Sequence, residues 1–318
     1  MRQAGRSLPE YRALRVGNSL IEACLDPQLA AEITLQPVLR HGVDAAIFFS
    51  DIMIPLVLAG VDVDIQPGIG PVLGTPIRSA ADVDRLITHE IDDASTITAA
   101  VELVVAELAA SHPGVALIGF AGAPFTLAAY LVEGQPSRDH LRARAMMHAD
   151  PDAWHRLMQW CAQLSARFMI IQVDAGAAAV QLFDSWAGAL CRADYVKYVQ
   201  PYSAMALRSF AGRVPRIHFA VASGHLLADL ATVGAEVIGV DHRMGLDEAA
   251  AKLPGKVLQG NIDPALLFAG WEPLAAHARD VVKRGRQAPA HIVNLGHGVP
   301  PDADPQLLTD LVSLIHEL

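Results

Sequence analysis

Seven short apolar runs, each followed by a stretch of helical composition, constrain this chain more than any other feature. They span residues 45–49, 115–121, 177–185, 216–221, 235–241, 256–261 and 291–298. Helical segments fill the intervals, at 28–42, 81–111, 138–173, 190–211, 224–232, 246–252, 264–286 and 305–317. Strand alternating with helix predicts a parallel sheet whose strands are buried on both faces and therefore read as continuous apolar runs. The expected fold is a single-domain (β/α)8 TIM barrel over 1–318, with a doubly wound open sheet as the runner-up. No low-complexity linker divides the chain.

Chemically capable residues sit at the carboxyl ends of these runs: Asp51, Ser185, Asp241, Gln259 and His297. In a barrel of this kind, that end is where active sites are built. Asp51 is the sharpest case, because a carboxylate directly after a buried strand needs a partner or a purpose. Capping the next helix is the structural alternative for Asp51, as it is for Ser185. Tyr130 reads equally as a half-buried helical aromatic. His297, flanked by Gly296 and Gly298, lies in a loop that lets backbone and ring approach a ligand. His218 and Asp241 read as structural residues. The Gly- and Pro-rich segment 60–76 lacks dinucleotide-binding spacing and is expected to shape a cleft.

The 318 residues carry a net charge of −10, which argues against a nucleic-acid partner. No apolar run reaches the roughly 20 residues of a membrane span, and no secretory leader pattern is visible, so a soluble protein is expected. Cys24, Cys161 and Cys191 form no paired framework, which fits free thiols in a reducing cytoplasm.

MRQAGR followed by LPEYR, then FSDI, GAPFTLAAYLVEG (122–134), QLFDSWAG (181–188), QGNIDP (259–264) and NLGHGVPPDADP (294–305) resemble the uroporphyrinogen decarboxylase family. The motifs occur in the family's order from Met1 almost to the end. The resemblance implies a single (β/α)8 barrel that usually acts as a homodimer. It also implies cofactor-free and metal-free loss of carbon dioxide from the four acetate arms of uroporphyrinogen, giving coproporphyrinogen. The positions matching the family's substrate contacts are Arg2, Arg6, Asp51, Tyr130, Ser185 and His297, with Gln3 and Phe183 inside the same motifs. On that resemblance Asp51, Arg2 and Arg6 carry the chemistry. Ser7 stands where the family more often has tyrosine.

Two other functions fit the same fold. Zinc-dependent corrinoid methyltransferases of the superfamily carry His-x-Cys after a barrel strand and a late cysteine. Here His218 is followed by Phe219 and Ala220, and no cysteine follows Cys191. A non-catalytic tetrapyrrole carrier would keep the arginines but has no need of Asp51. An eight-stranded barrel also needs one strand more than the seven visible from Asp44 onward. That strand is expected ahead of Met1, where family members have further residues. Its absence is expected to leave two unpaired edges and a less stable, less active chain.

Overall fold

The structure, a computed structural model, describes residues 4–66 and 68–318. Among these residues nine strands follow in chain order: β1 Ala45–Ile47, β2 Val63–Gln66, β3 Gly70–Leu73, β4 Ala116–Gly122, β5 Ala179–Asp184, β6 Arg216–Ala220, β7 Val237–Gly239, β8 Val257–Ile262 and β9 His291–Leu295. Among the described residues, seven of these form one sheet in the order β1-β4-β5-β6-β7-β8-β9, every neighbouring pair parallel. The order never reverses, so the topological switch point of a doubly wound sheet is missing. The sheet curls instead, and a side-chain hydrogen bond between Gln181 of β5 and Gln259 of β8 crosses its interior at 3.3 Å. This is a TIM-barrel-like α/β architecture in one domain.

The segment 60–76 contains more order than its composition implies. It is the antiparallel hairpin β2–β3, and the chain leaving it bonds to the end of the Pro124–Glu133 helix (Leu73 N–H to Gly134 C=O 2.8 Å, Ile77 N–H to Leu131 C=O 2.9 Å). The helical stretch 138–173 is likewise two helices, Leu141–Ala149 and Pro151–Asp174, divided at the Asp150-Pro151 pair.

That dipeptide is a recurrent device. Asp26, Asp150, Asp263 and Asp304 each precede a proline that opens a helix, and each aspartate side chain accepts from a backbone N–H of the first turn. Proline at the first position has no N–H to leave orphaned, and the carboxylate satisfies the next ones. Gly42 then ends the first long helix in the left-handed region (φ 65°), which turns the chain into β1.

Side-chain alternation along the strands separates barrel interior from helical shell. Gly119 faces the Pro151–Asp174 helix, where a Cβ would lie 2.8 Å from Gln172 Oε1. Gln172 uses that space to accept from Phe120 N–H (2.9 Å) and donate to Phe120 C=O (2.9 Å). Ile118 and Phe120, one position on each side, therefore point inward. His218 faces outward in the same way; it is wholly buried, with Nδ1 3.5 Å from Leu230 C=O. Its structural reading holds.

Replacing Gln172 by Leu removes the side-chain partners of Phe120 while keeping the volume close. A buried backbone group left unsatisfied costs about 1–3 kcal/mol. Chemical denaturation of Gln172→Leu is expected to show a loss of that size, with native circular dichroism retained.

Candidate active site

Because the seven strands are parallel, the residues that follow each of them come out at one end of the barrel. Asp51 follows β1, Ser185 follows β5 and His297 follows β9, so all three stand at that end. Tyr130 belongs to the helix Pro124–Glu133, which begins directly after β4. Arg6 is half-buried in the 3₁₀ turn Ala4–Ser7 rather than on a long helix face. Arg2 and Gln3 lie outside the described residues.

The floor beneath this end is aromatic. Phe120, Phe183 and Phe219, from β4, β5 and β6, form a cluster separate from the main core. Their rings meet edge to face, Phe120–Phe183 at 5.4 Å and Phe183–Phe219 at 6.2 Å between centroids. Ile47, Ile52 and Val221 pack against them. Ile52 is the neighbour of Asp51, so the half-buried carboxylate stands beside an apolar surface. One of its oxygens, Oδ1, accepts from Met53 N–H at 3.0 Å and shapes the turn into the next helix. The capping reading of Asp51 is therefore partly right, and it leaves the carboxylate at the mouth of the barrel.

Ser185 is not a cap: the 3₁₀ turn Ala187–Ala189 that follows has Trp186 at its start and no side-chain cap bond. Tyr130 is buried (7% exposed) with its ring edge-on to Trp186 at 5.9 Å. Trp186 in turn lies 4.9 Å from the ring of His140, a buried histidine in left-handed backbone (φ 48°). His297 is exposed. Gly296 before it runs against His242, whose backbone nitrogen would be 2.4 Å from any Cβ at that position. Only glycine lets the His297 loop sit so close to the end of β7.

Asp241, read as structural, is a brace. Its carboxylate accepts from Ala222 N–H, from Arg243 N–H (2.9 Å) and from the Arg243 guanidinium (2.8 Å). The Asn261 amide donates to the Asp241 and Met244 carbonyls at 2.8 and 2.6 Å. These bonds tie together the carboxyl ends of β6, β7 and β8.

Asp184 escaped the sequence reading. It is wholly buried, and its Oδ1 accepts from Thr126 Oγ1 at 3.0 Å. It thereby joins the end of β5 to the first turn of the helix that carries Tyr130. The signal was present: Gln181, Phe183 and Ser185 share the inward face by period two, which sends Asp184 outward into the helical layer. Phe120 and Phe219 were missed because each reads in the sequence as an ordinary apolar residue of a buried run.

The uroporphyrinogen decarboxylase (URO-D) family profile matches residues 1–318. The chain belongs to the uroporphyrinogen decarboxylase family. The uroporphyrinogen decarboxylase of Arthrobacter sp. strain FB24 is 57% identical over 320 residues, covering 100% of this chain and 92% of that protein. That of Leifsonia xyli subsp. xyli is 56% identical, over 99% of this chain and 89% of its own. Among solved structures, a methyltransferase from Methanosarcina mazei superposes with a TM-score of 0.79 at 17% identity, over 96% of this chain and 90% of that one. At that identity the likeness speaks for the fold alone. His218 points away from the barrel interior, and among the described residues no three His, Cys, Asp or Glu side chains gather to hold a metal.

Burial pushes the Asp184 carboxyl up to about 7, against the opposing pull of its bonds from Thr126 and the Ala187 amide. Burial pushes the outward-facing His218 down to about 4. The raised acid makes the fold lose stability as pH rises from about 4 to 7. The lowered base makes it gain stability over nearly the same interval. The two slopes oppose each other in the parent protein. In Asp184→Asn the opposing slope of the acid is gone, so the melting temperature is expected to rise between pH 4.5 and 7 more steeply than in the parent. Equal slopes in the two proteins would mean that Asp184 is ionised in the fold.

Proposed function

We propose that this protein removes the four acetate carboxyls of uroporphyrinogen III as carbon dioxide, yielding coproporphyrinogen III, and that it does so without a metal or organic cofactor. Its relatives at 51–57% identity over essentially the whole chain carry the uroporphyrinogen decarboxylase name. The observation that carries the chemistry is the placement of Asp51: an aspartate at the barrel mouth, beside an aromatic floor and at the same end as Ser185 and His297.

The reaction explains why such a site suffices. Protonation of the pyrrole carbon next to the acetate-bearing one makes the ring a cation. The C–COO⁻ bond then breaks, its electron pair flows into the ring, and carbon dioxide leaves an exocyclic methylene. A proton added to that methylene makes the methyl, and the ring carbon releases its own proton. One proton is consumed for each carbon dioxide formed. The substrate is its own electron sink.

The protein must supply an anion where the cation develops. Asp51 does this by accepting the pyrrole N–H groups, with the apolar floor lowering the local dielectric and strengthening the attraction. Arg2 and Arg6 are assigned to the peripheral carboxylates, for which a guanidinium fork is suited. Gln3, Tyr130, Ser185 and His297 hydrogen-bond other polar edges, and Phe183 supports the macrocycle from below. Asp184 and Asp241 hold these groups in place without touching substrate.

The chain is further assigned to the cytoplasm and to a homodimer. Among the described residues no helix is long and apolar enough to cross a membrane. The charge of −10 weighs against nucleic acid as a partner.

Asp51→Asn keeps the shape and removes the charge. It is expected to lower turnover by a factor of about 10³ or more, with the melting temperature within a few degrees of the parent. Near-parental coproporphyrinogen yield from this variant, assayed anaerobically, would overturn the role of the anion. Prolonged treatment with a chelator is expected to leave activity unchanged. A loss restored by zinc would point back to methyltransferase-like chemistry.

A further inference from the structure

Beyond Ile47 the chain that carries Asp51 leaves the sheet. Ile47 is paired with Ile118 of β4, and Phe48 N–H makes one more bond to Ile118 C=O at 3.0 Å. Residues 48–51 belong to no strand or helix, yet Phe48 and Phe49 are buried, at 1% and 7% exposure. Among the described residues Phe49 N–H is in no strand ladder, and a buried amide needs a partner. It finds one in the helical layer, where it donates to Thr34 Oγ1 at 2.8 Å.

Thr34 is itself fixed. It sits within the helix Pro27–His41 and is wholly buried. Its hydroxyl donates to Ala30 C=O, one turn back, at 2.7 Å, which orients the oxygen as an acceptor for Phe49. The helix is anchored by the Asp26 cap at its start and by Gly42 at its end. The Phe49 ring is held too: it packs edge-on to Tyr11 at 5.9 Å, and Tyr11 belongs to the helix Pro9–Leu14, just after the turn that carries Arg6. Two residues beyond Phe49 stands Asp51, whose Oδ1 accepts from Met53 N–H. One hydroxyl and a short piece of chain therefore connect the rigid outer helix to the carboxylate.

We propose that Thr34 is a positioning residue for the decarboxylation: its hydroxyl, through the Phe49 amide, sets where the Asp51 carboxylate stands at the barrel mouth. Thr34 touches no substrate, and the inference rests on the role proposed above for Asp51. An anion stabilises a developing cation only from a fixed place, and a misplacement of about 1 Å can cost about 10²-fold in rate. Thr34→Val keeps the volume but removes both bonds. The orphaned Phe49 amide must then turn toward another partner, and the chain leading to Asp51 moves with it. Thr34→Ser keeps the hydroxyl. The loss falls on kcat more than on KM, because Arg2 and Arg6, assigned to the peripheral carboxylates, still bind the substrate.

The test is anaerobic turnover of uroporphyrinogen by the full chain, below the melting temperature of every variant. Thr34→Val is expected to lower kcat about tenfold with KM within about twofold, and Thr34→Ser to return kcat to within about twofold of the parent. Should Thr34→Val not fold, Thr34→Ala against Thr34→Ser isolates the hydroxyl, and the same loss of kcat is expected between those two. In the Asp51→Asn background the loss of the hydroxyl is expected to lower kcat no further, because the group it positions has already lost its charge. A melting temperature that falls while kcat stays parental would overturn the proposal. So would an equal loss of kcat with Asp51 present and in the Asp51→Asn background. Near-parental turnover of Asp51→Asn alone is the separate result that overturns the reading of Asp51, and this positioning with it.

Discussion

One constraint governs this barrel: neighbouring strands of its sheet pair in parallel and in chain order. Parallel pairing forces each connection to cross back outside the sheet, which puts a helix between strands and buries both sheet faces. It also sends every strand's carboxyl end to the same side. Asp51 and His297 are 246 positions apart in the chain, yet both stand at that end, as Ser185 does. An antiparallel neighbour anywhere in the ring would have carried one of them to the opposite end.

Parallel order alone leaves the loops at the mouth in need of further ties to one another. Buried polar side chains supply them. Asp184 joins β5 to the Tyr130 helix through Thr126, Asp241 joins the ends of β6 and β7, and Asn261 extends that brace to β8. Gln172 reaches through the space left by Gly119 to hold Phe120. Each of these groups is expensive to bury and becomes tolerable only because its hydrogen bonds are made. They confer order on the mouth more than net stability, and Asp184, held near neutrality, shows how close the balance lies.

Between that frame and the mouth lies the trio Phe120, Phe183 and Phe219, which gives the site its apolar base. In the proposed reaction an electron-rich macrocycle lies over this base, where the charge of Asp51 beside it is weakly screened. That combination suits a reaction whose difficult moment is a positive charge delocalised over a flat ring. In the reaction proposed above, the binding groups at the rim orient the ring, and the floor with Asp51 favours the charged state it passes through.

The sequence by itself determined the alternation of strand and helix, and with it the parallel barrel, because apolar runs buried on two faces leave a local mark. It also determined the family, because long motifs recur from Met1 to 305. The end of the barrel at which Asp51, Ser185 and His297 stand was legible too, since each directly follows an apolar run. Only the tertiary structure decided that Asp184 braces the end of β5, that His218 points outward, and that Trp186 meets Tyr130 edge-on with His140 against its other side. The physical reason is the same in each case: these facts depend on which side of a strand or helix meets a distant element. Such meetings are set by packing across tens or hundreds of residues and leave no local pattern in the chain.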